Sequence, residues 1–282
     1  MRVPPQPVDD VVEPVRCLLQ RLDCRLAAEV SDDVDARDDP SDRVVAGDRA
    51  RTDASLVRVG TVLSVNVARV RTNPDPHAQS KLTGIDKVAA AEAVMVRAPG
   101  PMHGGVGSGL IGDTIGNQSL HGGDDQAVYA YAREDLDAWE IQLERELTNG
   151  MFGENLTTSG IDVTGARIGE RWRVGADGLV LEVSAPRTPC RTFQAFLNLN
   201  RWIKTFTQAG KPGAYLRVIS PGTVRAGDPV TINYRPDHDV TIGLVFRARM
   251  SEPELLPRLL VADGLSAELK DYARRRLASN AE

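Results

Sequence analysis

From Val57 onward, apolar and polar residues alternate in short runs. Val59, Thr61, Leu63, Val65 and Val67 fall on one face of an extended segment, and so do Leu179, Leu181 and Val183. The same spacing recurs at Tyr215, Arg217 and Ile219, and at Val230, Ile232 and Tyr234. Turn-forming stretches separate the runs: Gly175-Ala176-Asp177-Gly178, Pro221-Gly222 and Gly227-Asp228-Pro229. Many short strands joined in this way predict a barrel or a sandwich. Helical spacing interrupts them. Ala132 to Leu147 places Leu136, Trp139, Leu143 and Leu147 on one face. Arg191 to Ala209 carries Phe193, Phe196, Leu197, Ile203 and Phe206, and reads as two helical pieces.

The pattern changes after Pro236. Thr241–Arg249, Glu252–Val261 and Ser266–Leu277 predict three short helices, with Asp263-Gly264 between the second and third. Ser251 and Glu254 have the spacing of a capping box, and Pro253 is tolerated in a first turn. Leu255, Leu256, Leu259 and Leu260 form a stripe that must pack on something. Three units follow: an N-terminal segment 1–55, a β-rich domain 56–236 and a small helical unit 237–282.

Residues 1–55 differ in kind. They hold eight Arg, thirteen Asp or Glu and no aromatic residue, a net charge of −5. Such a stretch cannot bury enough apolar area to offset chain entropy, so it reads as disordered or as lying upstream of a true start near residue 56. Val11 to Val30 is the exception and has the spacing of a short amphipathic helix. Cys17 and Cys24 fall in this segment and take no role. The whole chain is also at −5, so the remainder is neutral and has no basic field for nucleic acid. Arg274-Arg275-Arg276 is its one basic cluster and reads as a solvated helix end. No apolar run is long enough to span a bilayer, and no signal peptide is visible. Three cysteines provide neither a disulfide framework nor a four-thiolate metal site, which points to a reducing cytoplasm.

Cys190 carries the candidate chemistry. It follows Pro186-Arg187-Thr188-Pro189, between a predicted strand, Leu179–Ser184, and a predicted helix, Arg191–Asn198. An arginine and a helix start both favour the thiolate, the form that attacks or binds a soft metal. The residues alone leave a second reading open, the commoner one of a buried structural cysteine. They likewise leave Gly122-Gly123 as a plain turn, His121 as structural and Asn155 as a partner for backbone groups. Gly104–Gly109 lacks the Gly-Lys-Ser/Thr ending of a phosphate loop and reads as a loop.

Six ordered motifs resemble one family. They are Lys81-Leu82-Thr83-Gly84-Ile85-Asp86-Lys87, Gly112-Asp113, His121-Gly122-Gly123 with Ala127–Tyr131, Phe152–Leu156, Pro186–Cys190 and Gly213–Val218. In this order the stretch from about Val57 to Leu277 resembles MOSC-domain proteins of the YiiM-like branch. The resemblance implies a mainly β fold with α: a β-barrel with flanking helices and a small C-terminal three-helix domain. It implies a molybdenum cofactor, a metal-bearing pterin with a phosphate, and Cys190 as both molybdenum ligand and catalytic residue. On that footing Gly122, Gly123 and Gly153 let backbone N–H groups approach an anion. Arg187 and Arg217 bind phosphate or pterin oxygen with a bidentate fork, and Lys81, His121 and Asn155 complete the cofactor-binding set. The implied activity is reduction of N-hydroxylated compounds, as in cellular protection against hydroxylaminopurine. No nucleotide or flavin fingerprint is present, so electrons come from a flavoprotein or an iron–sulfur or haem protein. Two alternatives are a sulfur carrier with a Cys190 persulfide and a non-catalytic cofactor-binding module. Asn117 stands where the family commonly carries an acid, which bears on substrate choice.

Overall fold

A computed structural model of the chain describes residues 58–279. The expectations for residues 1–55, with the Val11–Val30 helix, Cys17 and Cys24, fall outside the described residues. Twelve strands are described: β1 Arg58–Ala68, β2 Arg71–Thr72, β3 Leu82–Thr83, β4 Lys87–Ala89, β5 Val94–Val96, β6 Val128–Ala132, β7 Leu156–Ser159, β8 Arg171–Val174, β9 Leu179–Pro186, β10 Ala214–Ser220, β11 Gly222–Val224 and β12 Pro229–Tyr234. Seven of them close a barrel in the order β12-β8-β9-β10-β6-β7-β1, with β12 pairing back onto β1. The expected mainly β barrel with flanking helices is therefore what forms. All barrel pairings are antiparallel except β6–β7. That parallel pair needs a crossover, which helix α1, Arg133–Leu143, supplies.

The period-2 reading of β1 holds only beyond Leu63. Val62 and Val65 are buried, but Leu63 is 39% exposed. The register shifts between Val62 and Ser64, so Leu63 is the extra residue of a bulge opposite Thr158 and Thr157. On β10 the expected Tyr215-Arg217-Ile219 face turns away from the barrel interior, and Leu216 is fully buried instead. β9 behaves as its pattern predicts, with Leu179, Leu181 and Val183 fully buried.

β6 is buried on both faces, and its alternation separates two cores. Val128, Ala130 and Ala132 join the aliphatic barrel core. Tyr129 and Tyr131 join an aromatic cluster with Trp139, Phe152, Phe193, Trp202 and Phe206. The cluster lies among α1, α2 (Arg191–Leu197) and α3 (Trp202–Ala209), the two pieces foreseen after Cys190. Edge-to-face contacts such as Phe152–Phe193, at 5.1 Å between centroids, give it specific geometry.

The C-terminal segment forms α4 (Ile242–Met250), a 3-10 helix (Pro253–Val261) and α5 (Ala267–Ser279). Thr241 caps α4 by accepting from the Leu244 N–H at 3.2 Å. The Ser251–Glu254 capping box does not form, because the Ser251 hydroxyl turns back to the Arg247 carbonyl. Pro257 cannot donate within its helix, and the leucine stripe is split. Leu256 and Leu259 are buried in the barrel's own core, whereas Leu260 is 39% exposed. Among the described residues, no helix is long and apolar enough to cross a membrane.

Candidate functional site

A cavity of about 470 Å³ opens where β6, β10, the end of β9 and the loops after β1 and β5 converge. Cys190, Arg187, His121, Gly122, Asn155, Tyr129, Tyr215, Lys87 and Asp113 all face it. β9 ends at Pro186 and delivers Arg187; three residues later Cys190, half-buried and extended, is the N-cap of α2.

Arg187 is only 7% exposed, and its guanidinium carbon lies 3.8 Å from the Phe193 ring centroid and 5.3 Å from that of Tyr129. The buried Nη1 has no hydrogen-bond partner. Burial opposes the charge, but Tyr129, Tyr215 and Cys190 around it outweigh that and keep it cationic. A buried, charged donor without an acceptor is costly, and Nη1 is therefore suited to an anionic or oxygen-bearing ligand. Burial and the neighbouring Arg187 charge both push the His121 imidazole below its ordinary pKa, so it is neutral at pH 7. Burial first of all raises the hydroxyl pKa of Tyr129 and of Tyr215, so both stay protonated.

The floor is a buried ion pair. Lys87 Nζ lies 2.7 Å and 2.8 Å from the two Asp113 oxygens, with side chains 6% and 1% exposed. Asp113 also accepts from Ala68 N (2.8 Å), Ser108 Oγ (2.7 Å) and Asn155 Nδ2 (2.9 Å). Burial alone would raise its pKa; the Lys87 charge and the side-chain hydrogen bonds together hold it below the ordinary value.

Several expected roles are redistributed. The Gly123 N–H donates to Gly107 O, that of Gly122 to Gln126 Oε1 and that of Gly153 to Gly150 O, so none of the three is free for an anion. Gly122 is needed for a different reason. Its φ is +93°, and a Cβ there would meet Gly107 O at 2.8 Å. Asn155 faces the cavity, but its amide stitches strands together: Oδ1 accepts from Tyr129 N at 3.1 Å, and Nδ2 donates to Asn66 O at 3.2 Å as well as to Asp113. Arg217 does not line the cavity. Its guanidinium is committed to Asp125, at 2.6 Å, and Glu182, at 2.8 Å. Lys81 is exposed and, like Gly123, lies outside the lining. Asn117 does line the cavity, yet its Oδ1 accepts from the Ser119 N–H and hydroxyl.

Lys87, Asp113, Tyr129 and Tyr215 were not singled out from the sequence, although all four sit inside the quoted motifs. Their signal is two charges on a weakly hydrophobic stretch and tyrosines in otherwise core-like strands.

The molecule is a closed seven-stranded barrel with one cavity that gathers a thiol and a buried arginine with one unpartnered nitrogen. The MOSC-domain profile matches residues 117–231, spanning Asn117 to Thr231. The chain is 32% identical over 181 residues to Protein YiiM of Escherichia coli strain K12, covering 62% of this chain and 80% of that one. It is also 32% identical over 132 residues to a protein named "Reductase" from Gibberella moniliformis, covering 46% of this chain and 23% of the relative. The crystal structure of YiiM from Geobacillus stearothermophilus superposes with a TM-score of 0.62 at 26% identity, covering 77% of this chain and 99% of that one. The chain belongs to the MOSC-domain family.

Proposed function

We propose that this chain is a molybdenum-cofactor-dependent reductase of N-hydroxylated compounds, with Cys190 as the protein ligand to the metal. One observation carries the reading: a half-buried thiol and a buried guanidinium whose Nη1 has no hydrogen-bond partner share one cavity. The donor set suits a metal-bearing pterin with a phosphate. Thiolate is a soft ligand appropriate to such a centre, and Arg187 Nη1 meets an anionic oxygen with a charge-assisted hydrogen bond. A cavity of about 470 Å³ is in the range of cofactor sites. The match to a relative named "Reductase" supports redox chemistry, through less than a quarter of that protein's length.

When bound, the cofactor supplies the two electrons that cleavage of an N–O bond consumes. The chain's own residues do the rest. Cys190 would supply the thiolate ligand to the metal. Neutral His121 offers one donor and one acceptor to a polar ligand without adding charge. Tyr215 faces the cavity beside Arg187 with its proton retained, so its hydroxyl can donate a hydrogen bond to a ligand oxygen. Lys87 and Asp113 hold the floor rigid. Electrons reach the site from a separate flavoprotein or iron–sulfur or haem protein. Detoxification of hydroxylaminopurine-type base analogues in the cytoplasm is the physiological role this chemistry fits.

The test is turnover. Protein purified from a cofactor-competent host, given a chemical reductant, is expected to reduce an N-hydroxylated base to its amine, and Cys190→Ser to lose this at an unchanged melting temperature. A parental rate in the serine variant overturns the reading. An added sulfur atom on Cys190, found by mass without turnover, would assign the site to sulfur transfer instead.

A further inference from the structure

Segment Asn73–Ser80 lies against the cavity from outside the barrel, and its fixings fall on the two residues that follow Cys190. Asn73 Nδ2 donates to Thr192 Oγ1 at 3.2 Å, and that hydroxyl donates back to Asn73 Oδ1 at 3.3 Å. Arg191 Nη2 pairs with Asp75 Oδ1 at 3.1 Å. At the far end, Ser80 Oγ lies 2.6 Å from Gly116 O, which also lines the cavity, and 2.8 Å from Leu82 O. The segment thus runs from the helix that bears Cys190 to the loop that bears Gly116, with both ends tied.

The span is also stiff. Asn73 Oδ1 accepts from Asp75 N at 3.0 Å, and Asp75 Oδ1 accepts from His77 N at 3.0 Å. Pro74 and Pro76 fix two further φ angles. Asp75 is only 8% exposed, although its partner Arg191 is 61% exposed in its side chain. A carboxylate stays so far from water on a surface segment only where its bonds persist. His77, Ala78 and Gln79 line the cavity between the two tied ends.

We propose that Asn73–Ser80 is a fixed strap across the cavity mouth, and that Asn73 and Asp75 are positioning residues that set the width of ligand able to reach Cys190. The strap sorts by width rather than by charge, since Asp75 and Arg191 neutralise each other and the Asn73–Thr192 contact is uncharged. This goes beyond the cofactor reading and holds for whatever group the thiol meets.

Differential labelling of Cys190 tests it. The full-length chain is prepared without cofactor, and modification of the Cys190 peptide is timed by mass spectrometry with a narrow reagent, iodoacetamide, and a wide one, pyrene maleimide. Asn73→Ala and the near-isosteric Thr192→Val remove the same contact from opposite sides. Loss of such neutral hydrogen bonds is expected to raise the wide-reagent rate roughly three- to tenfold, with the narrow-reagent rate changed less than about twofold. A parallel rise with both reagents would mean altered thiol reactivity or general loosening, and would overturn the strap. So would unchanged rates with both. Melting temperature checks that each variant folds; if one does not, the other decides the result. Failure here leaves the molybdenum reading standing, because no cofactor takes part.

Discussion

Replacing Asp113 by Asn removes the charge from a carboxylate that accepts five hydrogen bonds beside the cavity, while keeping its shape. Lys87 is left as an unpaired ammonium with a side chain 6% exposed. The amide also turns an NH2 group toward donors at Ala68, Ser108 or Asn155. Breaking a buried pair from one side costs about 3–5 kcal/mol. At about 2–4 °C per kcal/mol for a domain of this size, the melting temperature should fall by roughly 6–20 °C. Lys87→Met with Asp113→Leu removes both charges, and should recover more than half of that loss, since apolar replacement of a whole pair is often near neutral. The pH dependence has a definite sign. The folded pKa of Asp113 lies below its ordinary value, so its contribution is complete above the unfolded carboxylate pKa of about 3.9 and is lost as pH falls through the folded value. The gap between parent and Asp113→Asn should therefore be constant from pH 5 to pH 7 and narrow below about pH 4. Tryptophan-fluorescence melts across this range make the measurement. A fall of less than about 2 °C, or a gap that widens in acid, would refute the claim that this pair holds the floor.

Arg187→Ala should weaken cofactor retention by roughly ten- to a hundredfold, the worth of a charge-assisted hydrogen bond, while changing the melting temperature far less; equal occupancy after dialysis would exclude the role. The His121 imidazole should titrate below about 6.5 by NMR, so that its protonation in the unfolded chain erodes stability as pH falls through that value; a midpoint at or above 6.5 would contradict its burial beside Arg187. Gly213→Ala should be strongly destabilising in a chemical-denaturation curve, because φ there is +69° and a Cβ would sit 2.7 Å from Ala130 O and from the Tyr131 ring; a wild-type midpoint would show that β10 can shift.

The barrel was legible because β9 alternates, because β12 does so as far as Ile232, before a register shift that leaves Tyr234 exposed, and because Gly/Pro/Asp turns separate the runs. β1 was only partly legible. Its alternation is real, but a bulge at Leu63 resets the face, and nothing local in the sequence marks where an extra residue is absorbed. The 3-10 helix at Pro253–Val261 escaped because Pro253 in the first turn and the leucine stripe fit an α-helical reading, whereas Pro257 inside the segment, which works against an α-helix, was not weighed. In the site, Cys190, Arg187, His121, Gly122 and Asn155 were named and do come together. Arg217 lies outside the lining for a physical reason: it lies in a matching motif, yet Asp125, from the turn before β6, and Glu182, from β9, take up its guanidinium. Partners that distant in sequence cannot be read from spacing. The Lys87–Asp113 pair shows the converse, since two ordinary surface-type residues become a buried pair only once β4 and the loop after Leu110 meet.

The reading of Cys190 as a metal ligand is tested most directly by metal content. Protein from a cofactor-competent host should hold about one molybdenum and one pterin per chain, and Cys190→Ser, folded to the same melting temperature, should hold far less molybdenum. Parental protein free of molybdenum and pterin, or a serine variant that keeps the full complement, would contradict it.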